Sequence, residues 1–290
     1  GHRAPTLERR PLLDLSDQIR ILGERGFFDL ELVAEGRALL VVYTAPDGAI
    51  TVVRYPYREG TPIRRADGRV VARIPWPFSW HHGGGMAVLR NGDVLLGLGD
   101  MEYRGFGLPG PQDPNLLLGG ILRIPASVLA DDAPSTTPTW RPTPSDMIAR
   151  GFRNPWRTTV DRRTGDVWIG EVGLDTMEEV DRIPRDDVDS VRLNFGWPYY
   201  EGTEARQGVP PPGTRLEPPV FERHHAPGTV CGIVGGFVYR GSGTPALAGR
   251  YVYGDLCATD IRAFSIDDGR ARGDARVATV PETPVSFGED

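Results

Sequence analysis

GFRNPWRTTVDRRTGDVWIGEVGLDTMEEVDRI, from Gly151 to Ile183, and the NFGWP that follows at Asn194–Pro198 decide how this chain is read. Apolar residues on either side of Thr164-Gly165-Asp166 make a strand pair about a tight turn. The segment Glu171–Glu179 combines acids with small residues, as a cation-binding loop does, and Trp197 marks an aromatic corner.

The same hairpin pattern recurs outward from this stretch. ELVAEGRALLVVYT (31–44), MAVLRNGDVLLGLGD (86–100) and FVYRGSGTPALAGRYVYGDL (237–256) each read as apolar strand, tight turn, apolar strand and small-residue exit. Valine, isoleucine, leucine and aromatics dominate the blocks at Ala38–Thr44, Ile50–Tyr55, Val70–Ile74, Met86–Leu89, Val94–Leu98, Gly120–Ile124, Val167–Glu171, Gly236–Tyr239, Tyr251–Tyr253 and Ile261–Ile266, which predicts strands. Only Leu15–Arg20 and Pro144–Arg150 look helical. Ala130–Arg150 and Glu201–Pro219 are Pro-rich and read as loop insertions between hairpins. Radial repetition of four-stranded blades accounts for such a weak repeat without leaving open edges.

Composition narrows the function. At 290 residues, 39% hydrophobic and 25% charged, the chain is that of an ordinary globular protein with room for a sizeable core. It is read as one domain over residues 1–290. A net charge of −6 gives no electrostatic reason for a nucleic-acid or anionic-membrane partner, and no apolar run is long enough to span a bilayer. All 33 basic residues are arginine, so no step that needs a lysine amine can occur. No signal peptide is visible and the chain opens on Gly1, so the N-terminus is expected to be processed or trimmed.

With GERGFF (23–28), HHGGGMAVLRNGDVLLGLGD (81–100) and GGFVYRG…GRYVYGDLC (235–257), the Gly151–Pro198 stretch resembles the glucose/sorbosone dehydrogenase family of quinoprotein sugar dehydrogenases over nearly the whole chain. That resemblance implies an all-β, six-bladed β-propeller of four-stranded antiparallel blades. Relative to the family both ends look cut, which bears on closure of the ring.

The resemblance also implies chemistry. His81, at the head of H-x-G-G, would be the general base that takes a sugar hydroxyl proton, a task suited to a group that titrates near neutrality. Of two adjacent histidines on a strand only one can face a cavity, and the alignment selects His81 over His82. Asp100 would orient it; otherwise Asp100 is a turn residue. Arg153 and Asn154 would hold a pyrroloquinoline quinone, the alternative being Arg153 stacked on Trp156. Calcium would bind the carbonyls of Gly173 and Leu174, with a second site at Glu179 and a carbonyl near Phe195; a solvated acidic turn is the competing reading of Glu178-Glu179. His224-His225 reads as an exposed loop pair. Cys231 and Cys257, at points where propeller relatives often carry cysteines, are read as a disulfide rather than two buried thiols, which places the protein in the periplasm or outside the cell.

The family's lysine has no counterpart here, so Arg104, Arg240 and Arg262 are candidate replacements for the quinone's carboxylates. The expected activity is oxidation of an aldose at C1 to a lactone, with electrons passing to a separate acceptor. The alternative is a non-catalytic propeller that binds a carbohydrate or a protein on its axial face.

Overall fold

A computed structural model describes residues 10–102, 110–190 and 192–289. Its first sheet runs in chain order through β1 (Phe27–Val33), β2 (Ala38–Thr44), β3 (Ile50–Pro56) and β4 (Arg69–Ile74). The second is β5 (Gly83–Val88), β6 (Val94–Leu98), β7 (Gly120–Ile124) and β8 (Met147–Arg150). The third opens with β9 (Pro155–Val160), β10 (Val167–Glu171) and β11 (Met177–Ile183). A short β12 (Leu193–Asn194) then pairs in parallel with β8, and β13 (Tyr200–Glu201) and β14 (Glu204–Ala205) form a small hairpin. The strand β15 (Phe221–His224) completes the third sheet beside β11. The last sheet is β16 (Ile233–Val238), β17 (Tyr251–Asp255), β18 (Asp260–Asp267) and β19 (Arg270–Thr279).

These are four blade-like sheets among the described residues, against the six blades that the resemblance implies. Each is an antiparallel meander, apart from the parallel addition of β12, and each begins at an inner strand. The inner strands β1, β5, β9 and β16 line one axial cavity of about 1150 Å3.

The strand pattern explains the stacking. All seven residues of β2 are buried, so both faces of the first sheet are covered. One face (Leu40, Val42) packs with Leu96 and Leu122 of the second sheet. The opposite face (Leu39, Val41, Tyr43) is covered by Leu15, with Leu13 and Ile19 at its margin. Leu95 and Ile121 meet Val167 and Ile169 between the second and third sheets, and Trp168 and Val180 meet Ile233 and Tyr251 between the third and fourth. The hydrophobic core is therefore mainly inter-sheet, each large buried side chain contributing about 1.5–3 kcal/mol. Gly85 permits one close approach: a Cβ there would lie 2.7 Å from the backbone of Trp156 and Thr158.

The two helical expectations fail. Thr143 and Asp146 form a capping box that supports only the single 3-10 turn Pro144–Asp146, after which Met147–Arg150 pairs with β7 as a strand. Residues 16–18 form a turn whose Gln18 amide bonds the Leu15 carbonyl. No helix among the described residues is long and apolar enough to cross a membrane.

The cysteines are joined. Ile233 and Asp255 are register partners, so Cys231 and Cys257, two residues outside that pair, meet with Cα atoms 5.7 Å apart in a disulfide. The buried Asp255 carboxylate accepts both cysteine amides.

Candidate active site

His81 and Asp100 lie at the two ends of the β5–β6 hairpin, so antiparallel pairing returns one to the other. Nδ1 of His81 is 2.5 Å from Oδ1 of Asp100. The Asp100 carboxylate also accepts the Glu102 amide at 2.8 Å and the Trp197 indole N–H at 2.9 Å. The Glu102 amide also lies 3.2 Å from Nδ1, but the acceptor-only carboxylate is much closer to that nitrogen, which favours the tautomer with hydrogen on Nδ1. Nε2 is then the basic nitrogen, and it makes no hydrogen bond among the described residues. His81 itself holds a positive φ of 49°, and a Cβ on Gly99 would fall 2.0 Å from its carbonyl oxygen. That glycine is what lets the two hairpin ends close together.

His82 points elsewhere. Fully buried, it sits with its ring 5.3 Å from Phe28 and 5.8 Å from Trp76, both ring nitrogens without a partner. Burial pushes it down to about 4, helped by Arg25 and His81. The two adjacent histidines thus part, His81 to Asp100 and His82 into the aromatic core.

Arg153 and Asn154 enter from the third sheet. The Glu171 carboxylate accepts both their amides, at 2.5 and 3.1 Å, and so holds the pair as one unit. Nη1 of Arg153 bonds the carbonyls of Val172 and Gly173 at 3.0 and 2.6 Å, while Nε and Nη2 make no hydrogen bond among the described residues. Its guanidinium lies 6.0 Å over Trp197, not over Trp156 as the alternative to a quinone contact had it. The side-chain oxygen of Asn154 accepts the Gly83 amide, and its NH2 faces Glu24 at 3.5 Å. Glu24 also accepts the His81 amide at 2.6 Å, and burial pushes its carboxyl up. His81, Asp100, Arg153 and Asn154 thus form one connected network.

The free edge of the Arg153 fork and the neighbouring Asn154 suit one carboxylate or carbonyl edge of a quinone. The candidate replacements for the family's lysine are not at hand. Arg240 is paired with Asp161 and Arg262 with Asp274, so neither is available, and Arg104 lies outside the described residues.

The two expected calcium positions differ in fit. The Gly173 carbonyl already takes a guanidinium, whose charge opposes a dication, and the Leu174 amide donates to Glu201. This arrangement does not fit calcium at Gly173–Leu174. Glu179 is different. It faces Glu171 across one strand pair and Glu222 across the next, with Asp181 two residues on, so all four acids share one face of the third sheet. Both oxygens of Asp181 and Oε2 of Glu171 are buried without partners. Burial, with the charges of Glu201, Glu222 and Glu178, pushes Glu179 up, and burial with its neighbours pushes Glu171 and Asp181 up strongly. Among the described residues, however, no three of these carboxyls bring oxygens within 4.8 Å of one another, so the face is rich in hard oxygen ligands without being a formed cation site. Phe195 stands apart in the core, its ring 4.6 Å from Phe152 and its amide on the Arg150 carbonyl.

Several groups escaped the sequence reading. Glu201 accepts the successive amides of Leu174, Asp175, Thr176 and Met177 through one oxygen, at 2.7–3.1 Å. Burial raises its carboxyl, but those amides outweigh burial and hold it below the ordinary value. Glu178 is buried rather than solvated: it binds His225 at 2.5 Å and the Ile233 amide at 2.7 Å, and that hydrogen bond pushes His225 up. His224 is exposed, as expected of a loop pair; His225 is not. The axial cavity reaches Glu24 and Gly83, but His81 and Asp100 are not among its lining residues.

Comparison with known proteins agrees with this architecture. Over residues 17–284 the chain matches the model of the family described as Glucose / Sorbosone dehydrogenase. It is 29% identical over 262 residues to the HIPL1 protein of Arabidopsis thaliana, covering 78% of this chain but 35% of that protein. The chain thus spans about a third of the length of the curated relatives it matches. Among solved structures, the PQQ-bound aldose sugar dehydrogenase of Streptomyces coelicolor superposes with a TM-score of 0.69 at 19% identity, covering 95% of this chain and 73% of that one. The apo-form soluble aldose sugar dehydrogenase of Escherichia coli gives 0.67 at 22% identity, covering 90% and 75%. These likenesses are of fold. The family match over most of the sequence goes further: the chain belongs to the glucose/sorbosone dehydrogenase family.

Proposed function

We propose that this chain is the catalytic part of an aldose dehydrogenase that oxidises the sugar at C1 to a lactone. The observation that carries the reading is the His81–Asp100 pair, with Nε2 unengaged and with Asn154 linked to His81 through Glu24 and to Arg153 through Glu171. Asp100 holds the imidazole in the tautomer that leaves Nε2 basic, and Nε2 takes the proton of the C1 hydroxyl. Arg153 and Asn154 would hold pyrroloquinoline quinone at one edge. When bound, that group supplies the two-electron acceptor for the hydride leaving C1. A separate acceptor then carries the electrons away. Glu179, with Glu171 and Asp181 on the same face, would be the residue to hold a calcium, where a cation would offset buried charge. Phe195, in the Phe152 core, remains the proposed carbonyl donor. The four sheets are read as four blades of a six-bladed ring, residues 1–290 as one domain, and the disulfide as the mark of a periplasmic or secreted protein.

One observation favours a non-catalytic, carbohydrate- or protein-binding propeller instead: Arg240 and Arg262 are committed to ion pairs, which leaves the quinone's remaining carboxylates without those cations. Calorimetric titration with pyrroloquinoline quinone, with and without calcium, separates the two. One-to-one binding, together with dye-linked turnover that His81→Ala abolishes while cofactor binding persists, supports the enzyme. No binding heat at high quinone concentration overturns it.

A further inference from the structure

Cys231 and Cys257 flank the β16–β17 pair, and the backbone keeps them side by side without help from the bond between their sulfurs. Ile233 and Asp255 are register partners, and the Leu256 amide bonds the Gly232 carbonyl at 2.9 Å. The buried Glu178 accepts the Ile233 amide at 2.7 Å, which fixes the strand that carries Cys231. Between the cysteines stands Asp255, 1% exposed. Its Oδ1 accepts the Cys257 amide at 2.8 Å and the Cys231 amide at 3.1 Å, and Oδ2 lies 3.3 Å from the latter. Both sulfurs and a carboxylate oxygen of Asp255 thus lie within 4.8 Å of one another. Among the described residues no other trio of histidine, cysteine or acid side chains is gathered so closely, the acidic face of the third sheet included. Both cysteines are only half-buried, so a small thiol reagent can reach them.

We propose that this corner is a redox-gated zinc site: once the disulfide is reduced, Cys231, Cys257 and Asp255 bind Zn2+ through two thiolates and one carboxylate oxygen. A dithiol reductant supplies two electrons and two protons. The S–S bond breaks to leave two thiols, and the reductant's own sulfurs become a disulfide. Zn2+ then displaces both thiol protons. Two soft sulfurs with one oxygen suit zinc rather than calcium or magnesium, and water takes the fourth position of the tetrahedron. The sulfurs must part to roughly 3.8 Å, the edge of a tetrahedron with Zn–S bonds of about 2.3 Å, and rotation about the Cα–Cβ bonds supplies that movement. Asp255 needs no rearrangement, because the two cysteine amides already hold its carboxylate between the thiols. Under oxidising conditions the same residues stay closed as a disulfide, so metal binding here signals that those conditions have been lost.

The test is titration of the whole chain with zinc chloride after reduction by dithiothreitol and anaerobic removal of the reductant, with a chromophoric chelator as competitor. Reduced wild type should bind one more zinc per chain than the oxidised protein, and that zinc should shield both thiols from iodoacetamide. Asp255→Asn, and separately Cys257→Ser, should weaken its binding at least about tenfold, since losing a ligand costs no less than losing a residue behind one. No additional zinc on reduction, or thiols alkylated as fast with zinc as without, overturns the site. So does an affinity unchanged in Asp255→Asn. Thiol shielding is read on wild type, so it decides the matter even where Asp255→Asn does not fold. Neither quinone nor sugar enters the measurement, so failure of the oxidation chemistry leaves the zinc result intact, and failure of zinc binding leaves the aldose reading untouched.

Discussion

Replacing His82 by phenylalanine should make the protein more resistant to acid. The histidine is buried between Phe28 and Trp76 with neither nitrogen bonded, and burial lowers it from 6.5 to about 4. The unfolded chain takes up a proton near pH 6.5, whereas the folded protein resists until about pH 4. Stability from this group is therefore complete above pH 6.5 and is lost as the pH falls towards 4. Linkage over that interval gives a loss of about 2 kcal/mol near pH 5, rising to about 3 kcal/mol below pH 4. Phenylalanine does not titrate, gives up no hydrogen bond and keeps a flat ring between two aromatics. Urea unfolding of both proteins near pH 7.5 and near pH 5 measures the effect as a difference of differences, in which all other titrating groups cancel. Wild type should lose about 2 kcal/mol more than His82→Phe over that step. An equal loss in both would refute the reasoning. A variant already severely destabilised near pH 7.5 would show that the ring nitrogens matter after all.

Three further outcomes follow from the same geometry. Glu201→Ala leaves four amides of the 174–177 loop without their acceptor and should cost at least about 3 kcal/mol in chemical denaturation. Glu179 is raised from 4.5 to about 8, so without calcium its contribution is intact below about pH 4.5 and is lost as the pH climbs through 8. Glu179→Gln should then stabilise the calcium-free protein above pH 8, and calcium should raise the melting temperature of wild type but not of the variant. Removing the disulfide with Cys231→Ser and Cys257→Ser should cost about 3.5 kcal/mol, judged from the denaturation midpoint under non-reducing conditions.

What the sequence made legible was local. Ala38–Thr44, Val94–Leu98, Gly120–Ile124 and Val167–Glu171 are strands with the bounds that apolar runs and turns imply. Pairing between the ends of a single hairpin was legible too, which is why His81 and Asp100 could be matched. Groups brought together across sheets were not. Glu24 meets His81 from 57 residues away, Trp197 meets Asp100 from 97, and nothing in their neighbourhoods announces a partner. Glu201 lay inside a Pro-rich insertion read as plain loop, yet it organises the loop before β11. The helical reading of Pro144–Arg150 failed because a capping box can start one turn without sustaining it, and pairing with β7 decides the rest.

The site network draws on the segment before β1, both ends of the β5–β6 hairpin and the start of β9. No single sheet contains it. Its geometry is therefore a gauge of how the blades sit against one another, more sensitive than any average over backbone structure. On gentle heating, the environment of Trp197 and the reactivity of His81 should change while far-ultraviolet circular dichroism still reports intact strands, because sheets can part slightly before any one of them melts.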